Sequence, residues 1–275
     1  MADGGGMRRE REKAIAVFDS GVGGLTVFKA IRRTLPAERL VYFGDTARLP
    51  YGSKSKEVVT RFSLEIARFL SKRDVKLFVV ACNSATALAL PAIKGALRIP
   101  VLGVIQPAVR AAVAASQKGR IGVIATRATV ASGVYQRALH GSRSGVRISA
   151  VATPLLVPLV EEGWWEHPIT QLIASEYLAP FKRAGVDVLI LGCTHYPLIK
   201  QLVGRVMGEG VRLIDSGEAV ACEVDALLES RGLQRPGGRG TQTFFVTDAA
   251  ARFRALAHRI LGGPRPRVRL VRFPF

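Results

Sequence analysis

Residues 76–82 read KLFVVAC, and a second stretch, VDVLILGC at 186–193, repeats the pattern of an apolar run that ends in a cysteine. Runs of valine, isoleucine, leucine and phenylalanine that are apolar on both faces are typical of buried parallel strands. The alternation of such runs with helical patterns predicts an α/β fold. Six further runs of this kind lie at 15–19, 40–45, 100–105, 120–126, 146–153 and 211–216.

The two cysteine-terminated runs belong to a longer repeat. Cys82 and Cys193 are 111 residues apart, and Ile15 and Ile121, in the first strand of each half, are 106 apart. Nearly constant offsets indicate an internal duplication. We therefore expect two pseudo-symmetric lobes, each a sandwich of helices around a parallel sheet, with an active site at the lobe interface. The predicted boundaries are 1–106 for lobe one, 107–215 for lobe two, and 216–275 for a C-terminal segment that returns to lobe one.

The composition describes a folded and very basic protein. The chain has 275 residues, 48% of them hydrophobic, and its 40 Lys and Arg against 21 Asp and Glu give a formal charge of +19. This apolar fraction excludes a disordered polyelectrolyte, and every apolar run is far shorter than the roughly 20 residues that cross a bilayer. The N-terminus lacks the apolar segment of a secretory signal, so we expect a cytoplasmic protein. Three cysteines do not make a disulfide framework.

The excess charge is concentrated near the C-terminus. Residues 231–275 hold ten arginines, no lysine and one acid, so this part of the chain carries +9. Arginine clusters without interleaved aromatic residues are weak evidence for nucleic-acid binding, and we expect a solvated basic surface that takes no part in the chemistry. Residues 1–12 and the loop at 237–240 are predicted to be mobile surface.

Cys82 and Cys193 are both expected at the carboxyl end of a parallel strand. Ligands of parallel α/β sheets bind there, because helix N-termini offer free N–H groups and the positive end of a dipole. Such a position can also lower the pKa of a thiol and so favour the reactive thiolate. Cys222 lies in a helical pattern without this context, and we predict that it is buried in the core.

Several uses of paired thiols are disfavoured by the neighbouring residues. No Cys-x-x-Cys or His-x-x-x-His spacing accompanies them, so we expect no metal site. Neither cysteine is followed by the arginine of a phosphatase loop. The turn at 21–24 lacks the third glycine of a dinucleotide-binding loop. A hydrolase with one nucleophilic cysteine would leave the second thiol unexplained.

Two opposed thiols suit a reaction that removes a proton from one face of a stereocentre and returns a proton to the other face. This is racemisation or epimerisation, and each thiol needs a partner that sets its protonation state. Asp19 is expected beside Cys82, because both follow neighbouring strands. His195 lies two residues after Cys193, and Glu161 is a further candidate partner. Helix capping by Asp19 or His195, and a surface position for Glu161, stay open as alternatives.

Small hydrogen-bonding residues near these strand ends could hold the carboxylates of a small anion. N–H and O–H groups of this kind are the usual partners of a carboxylate in a protein site. They are Ser20, Asn83, Ser84, Thr194 and the turn Pro50-Tyr51-Gly52-Ser53.

The motifs resemble those of the glutamate racemases of bacterial cell-wall synthesis, within the aspartate/glutamate racemase superfamily. Ser84 stands where that family usually has threonine, and Ala125 where it usually has glycine, which leaves the hydrogen-bonding groups in place. The matching segments are FDSGVGGLTV (18–27), YFGDTARLPYGSKS (42–55), VVACNSATA (79–87), PVLGVIQPA (100–108), LLVPLVEEG (155–163), LGCTHYPLI (191–199) and LIDSGEAVA (213–221).

The resemblance implies an isomerase that interconverts L- and D-glutamate by a cofactor-independent, two-base mechanism. It implies a supply of D-glutamate for peptidoglycan, and hence a role in cell-wall biogenesis and cell shape. Cys82 and Cys193 would be the acid and base, assisted by Asp19, Glu161 and His195. The implied substrate contacts are Asp19, Ser20, Tyr51, Gly52, Asn83, Ser84, Thr126, Thr194 and His195.

Other functions remain open at this point. An aspartate or hydantoin racemase of the same fold is the nearest alternative. A decarboxylase of the superfamily keeps one catalytic thiol, so the presence of two cysteines counts against it. A nucleic-acid-binding protein built on a racemase scaffold would explain the positive charge but not the two intact thiols. Two partner hypotheses also stay open: a homodimer, and non-specific binding of nucleic acid by the basic tail.

Overall fold

The structure is a computed structural model that describes residues 4–273. Its strands are β1 Ala14–Asp19, β2 Leu40–Gly44, β3 Val75–Val80, β4 Val101–Gly103, β5 Arg120–Ala125, β6 Arg147–Ala152, β7 Val188–Gly192, β8 Arg212–Asp215, β9 Gln242–Val246 and β10 Val268–Leu270. Its helices are α1 Gly4–Glu12, α2 Leu25–Thr34, α3 Lys56–Ser71, α4 Asn83–Ala96, α5 Ile105–Ala115, α6 Arg127–Ala131, α7 Val134–Ser142, α8 Leu156–Glu161, α9 Pro168–Arg183, α10 Lys200–Met207, α11 Ser216–Ser230 and α12 Ala250–Leu261.

The described strands form two sheets. The first has six strands in the order β10-β9-β2-β1-β3-β4, and the second has four in the order β6-β5-β7-β8. All pairings within both sheets are parallel. We call the first sheet with its helices lobe one, and the second lobe two. The predicted α/β class, with a parallel sheet in each of two lobes, is confirmed.

The central strands are buried over their whole length. Every residue of β1, β3 and β7 is buried, as expected for strands that are covered by helices on both faces. Strand β3 ends at Val80 and β7 at Gly192, so Cys193 directly follows its strand and Cys82 follows its strand after Ala81. Cys82 is the N-cap of α4, with an extended backbone and a sulfur that accepts from the N–H of Ala85 at 3.4 Å. Both thiols therefore lie at the carboxyl edge of their sheet.

The C-terminal segment completes the first sheet. Strand β9 pairs with β2, and β10 pairs with β9 at the sheet edge. Helix α12 covers one face there and buries Phe253, Leu256 and Ile260. Strand β10 was not predicted from the sequence, because its three residues lie in an arginine- and proline-rich stretch and depend on pairing with β9. The proposed domain boundaries stay a prediction.

Two expectations from the sequence are wrong. Residues 4–12 form helix α1 rather than loose surface, since Arg11 donates to the carbonyl of Gly232 at 2.7 Å and Lys76 donates to the carbonyl of Arg11 at 2.8 Å. Residues 1–3 lie outside the described part of the chain. Cys222 is exposed, because the buried stripe of α11 runs through positions 217, 220, 221, 224 and 228 and turns this side chain outward. Within residues 4–273, no helix combines the length and apolarity needed to cross a membrane.

Candidate active site

A cavity of about 360 Å³ lies where the carboxyl edges of the two sheets meet. Its volume falls in the range of small-molecule sites, and both lobes contribute to its walls. Most of the polar residues that line it are among those predicted from the sequence. The predicted residues at the cavity are, from lobe one, Ser20, Tyr51, Gly52, Ser53, Cys82, Asn83 and Ser84, and from lobe two Thr126, Glu161, Cys193, Thr194 and His195.

Cys82 is a protonated thiol in the free protein. Its side chain is 5% exposed, and it lies 3.6 Å from the hydroxyl of Ser20. Burial and the negative charge of Asp19 raise the pKa of Cys82 to about 12. The N–H of Ala85 at the start of α4 acts in the opposite direction but is outweighed. The helix N-terminus thus acts in the expected direction, but the net result is a raised pKa rather than an activated thiol.

Asp19 lies behind the cavity wall, at the end of β1. It is fully buried, and its carboxylate accepts from the N–H of Gly21 at 2.9 Å and from the hydroxyl of Thr194 at 3.3 Å. Burial raises the pKa of Asp19, although the charge of His195 and these hydrogen bonds oppose the shift. Asp19 thus organises the turn that follows it and also reaches across to lobe two.

Cys193, His195 and Glu161 form a chain of contacts in lobe two. The sulfur of Cys193 is 3.7 Å from Nδ1 of His195, and Nε2 of His195 is 3.1 Å from Oε1 of Glu161. Burial opposes the charged imidazole, but the hydrogen bonds to Cys193 and Glu161 outweigh it and raise the pKa of His195 to about 10. Burial likewise opposes the charged form of Glu161, yet His195 lowers its pKa. At neutral pH the pair is therefore an imidazolium and a carboxylate.

The glycine turn after β1 brings the two lobes together. A Cβ placed on Gly23 would lie 2.4 Å from Oγ1 of Thr194 and 2.6 Å from Nδ1 of His195. Any larger residue would push these two side chains of lobe two away. The need for glycine here comes from this close contact, not from a bound dinucleotide.

Known proteins with the same sequence pattern share this arrangement of lobes. Residues 15–224 match the family model described as Asp/Glu/Hydantoin racemase. The chain belongs to this family. A curated glutamate racemase of Geobacter metallireducens is 51% identical over 252 residues, which cover 91% of this chain and 93% of that protein. The predicted enzyme class, an isomerase of the amino-acid racemase type, is confirmed.

Solved structures of racemases superpose on most of the chain. The crystal structure of glutamate racemase isoform RacE1 from Bacillus anthracis has a TM-score of 0.93 at 39% identity, and covers 96% of this chain and 99% of that one. A glutamate racemase from Francisella tularensis, solved in complex with D-glutamate, has a TM-score of 0.89 at 35% identity and covers 95% and 98%.

In this member of the racemase family, hydrogen bonds cross between the lobes beside Cys82. The hydroxyls of Ser84 and Thr126 are 2.9 Å apart, and the hydroxyl of Tyr135 donates to Oδ1 of Asn83 at 2.7 Å. Nδ2 of Asn83 is buried and has no hydrogen-bond partner among residues 4–273. A buried donor without a partner is costly, so a ligand acceptor at this wall of the cavity would relieve it. Tyr135 was not predicted, since it is a lone tyrosine in a helical pattern.

The cavity of this racemase-family protein also contains charged residues that the sequence analysis missed. Arg127 lines it from lobe two, and Arg252 reaches it from α12. Arg252 pairs with Glu162 at 2.8 Å, and both side chains are more than half exposed. The basic tail therefore reaches the cavity through Arg252. Its expected absence from the chemistry stays a prediction. The two partners are 90 residues apart in the chain, and no local pattern connects them.

Proposed function

We propose that the protein interconverts L- and D-glutamate by a two-base mechanism that needs no cofactor. One observation carries the proposal: a thiol from each lobe lines the same cavity, and each thiol has its own ionisable neighbour. Two acids or bases held in different halves of a molecule can act on a substrate between them from different sides. This is the requirement for inverting a stereocentre through proton transfer.

In the proposed reaction, one sulfur acts as a thiolate and removes the α-proton of glutamate. The Cα–H bond breaks, an S–H bond forms, and the electron pair of the carbanion spreads into the neighbouring carboxyl group. The other thiol then donates its proton to the opposite face, so an S–H bond breaks and a new Cα–H bond forms. Each turnover exchanges the roles of the two sulfurs.

The electrostatics of the free site favour one starting state. Cys82 begins as the proton donor, because burial and Asp19 keep its thiol protonated. Cys193 is assigned the complementary role of base on geometry, since its sulfur lies 3.7 Å from Nδ1 of His195 while Glu161 holds the other ring nitrogen. When the roles reverse, Asp19 can help to remove the proton from Cys82. We therefore assign acid–base roles to Cys82 and Cys193, and supporting roles to Asp19, His195 and Glu161.

Glutamate fits the donors around the cavity. The free amide of Asn83 and the hydroxyls of Ser84 and Thr126 can hold one carboxylate close to the N-terminus of α4, where the helix dipole favours an anion. Ser20, Tyr51, Gly52, Thr194 and His195 line the remaining wall. With Asp19 behind that wall, they are the other proposed substrate contacts. The choice of glutamate over aspartate rests on the relatives, one of which was solved with D-glutamate.

Deuterium exchange tests the reaction directly. We expect the purified protein, without added cofactor, to convert L-glutamate to the D-enantiomer in heavy water while deuterium enters the α-position. Cys82→Ser and Cys193→Ser should each abolish conversion, and Cys222→Ser, at the exposed third cysteine, should stay within about twofold of wild type. Lack of racemisation by the wild type, or normal turnover by either of the first two variants, would contradict the proposal. A parallel assay with L-aspartate distinguishes the nearest alternative.

We also propose that the product supplies peptidoglycan synthesis in the cytoplasm. This role follows from the resemblance to glutamate racemases of cell-wall synthesis. The test is a bacterial strain that lacks its own glutamate racemase and grows only with added D-glutamate. Expression of this chain should restore growth and normal cell shape without the supplement, and Cys82→Ser should not. Failure of the wild-type chain to complement, despite activity in vitro, would refute the role in the cell wall.

A further inference from the structure

A fully buried carboxylate lies just outside the cavity, next to the loop that forms one of its walls. Asp45 follows β2 and has no exposed surface. It accepts from Nε of Arg48 at 2.8 and 3.1 Å, from the hydroxyl of Tyr51, and from the hydroxyl of Thr247 at 2.9 Å. A buried carboxylate is tolerated only with such partners, so Asp45 fixes the positions of the three side chains that donate to it.

One of these side chains belongs to the cavity itself. Tyr51 lines the wall, and burial and the neighbouring Asp45 raise its pKa, so the hydroxyl remains a donor to that carboxylate. The next residue, Gly52, touches lobe two: a Cβ there would lie 2.6 Å from Cβ of Thr126. The position of residues 49–53 therefore determines the shape of the cavity on the lobe-one side.

Thr247 connects this loop to the C-terminal segment. Its hydroxyl donates to Oδ1 of Asp45 and accepts from the N–H of Ala47 at 2.8 Å. The adjacent Asp248 donates its N–H to the hydroxyl of Thr46 at 2.9 Å, so two successive residues hold the start of the loop. Thr247 is about 200 positions from the loop in sequence and lies beyond residues 15–224, which the family model matches.

We propose that Thr247 is a positioning residue for racemisation: through Asp45 it holds Tyr51 and the loop at 49–53 in the geometry that binds the substrate. This inference rests on the proposed function, because the effect is expressed on glutamate. Removal of the hydroxyl leaves both Oδ1 of Asp45 and the N–H of Ala47 without this partner. The loop should then move away from the cavity, which weakens substrate binding more than it slows proton transfer.

The kinetic test uses variants that distinguish loss of the Thr247 hydroxyl from a change in side-chain packing. Thr247→Val should raise the KM for L-glutamate about tenfold and change kcat by less than about threefold. Thr247→Ser, which keeps the hydroxyl and loses only the methyl group, should have a KM within about twofold of wild type. Thr243→Val is the matched control, since Thr243 is also partly buried, lies in β9 four residues before Thr247, and makes no side-chain hydrogen bond among the described residues. It should leave both constants unchanged.

Hydrogen exchange of the free protein tests the same contact without relying on catalysis. Thr247→Val should speed amide exchange in residues 46–53, while Thr243→Val and Thr247→Ser should not. If the wild type proves inactive on glutamate but this exchange pattern appears, the proposed function fails and the positioning of the loop survives. If the wild type is active and Thr247→Val keeps a normal KM, or if Thr247→Ser does not rescue it, the positioning role is refuted.

Tyr51→Phe covers the case in which Thr247→Val does not fold. This variant removes the donor to Asp45 from the cavity side and keeps the ring. It should raise KM and speed exchange in residues 46–53 in the same way. Normal KM and normal exchange in Tyr51→Phe would overturn the proposal.

Discussion

Glu161→Gln should shift the alkaline limb of the activity profile to lower pH. Glu161 lies 3.1 Å from Nε2 of His195 and is one of the reasons that the pKa of this imidazole rises to about 10. Glutamine keeps an acceptor oxygen at the same place but removes the negative charge. The variant therefore isolates the electrostatic effect of Glu161 on His195.

The size of the effect follows from the distance. Two opposite charges at this separation interact by about 5 kcal/mol if the effective dielectric constant is about 20. Water in the cavity screens part of this, since the side chain of Glu161 is 18% exposed. We therefore expect the pKa of His195 to fall by about 1 to 3 units, to between about 7 and 9. Because the mechanism needs the imidazolium, activity should be lost over that pH range rather than near pH 10.

Two measurements check this prediction. The first is kcat/KM as a function of pH in both directions of the reaction, and the second is the titration of His195 by NMR in protein with labelled histidine. Glu166→Gln is the control, because Glu166 pairs with Arg205 on the surface and both side chains are more than half exposed. It should leave both curves in place. An unchanged titration of His195 in Glu161→Gln would refute the electrostatic argument.

Two further predictions concern packing. Gly23→Ala places a Cβ 2.4 Å from the hydroxyl of Thr194 in lobe two, so kcat/KM for racemisation should fall at least about tenfold. The control is Gly95→Ala, whose Cβ meets no atom within 4 Å, and it should keep kcat/KM near the wild-type value. Lys76→Met breaks the buried ion pair of Lys76 and Glu38 at 2.6 Å, and a urea titration should show a loss of about 3–5 kcal/mol of unfolding free energy. Lys200→Met, which breaks the more exposed pair with Glu218, should lose about 1 kcal/mol or less. Equal activity of the two glycine variants, or equal stability of the two lysine variants, would contradict these arguments.

Local patterns were sufficient for the fold class and for the two thiols. Strands that are buried on both faces must be apolar throughout, so β1, β3 and β7 are visible as uninterrupted runs. A cysteine at the end of such a run lies at the edge of a parallel sheet, and its repetition 111 residues later indicated a shared site. Cys222 could also have been placed correctly, because its position relative to the apolar stripe of α11 follows from the helical period.

Contacts between distant segments could not be predicted in this way. Arg252 reaches the cavity only because β9 and α12 return to the first sheet, and Thr247 meets Asp45 across 202 positions of sequence. Tyr135 and Asn83 meet across the lobe interface. None of these pairs has a spacing that distinguishes it from chance, since a single polar residue in a helix or turn has many ordinary explanations.

The protonation states at the site also depend partly on the sequence and partly on the tertiary structure. The sequence determined which residue types meet at the strand ends: two thiols, an aspartate, and a histidine that follows its cysteine by two positions. Only the tertiary structure decided their charge states, because burial and the distances between groups set the free energy of each ionised form. The helix N-terminus beside Cys82 suggested a lowered pKa, whereas the fold buries this thiol near Asp19 and raises it. Local sequence fixes the chemistry that is available, and the packing of the two lobes decides which group holds the proton.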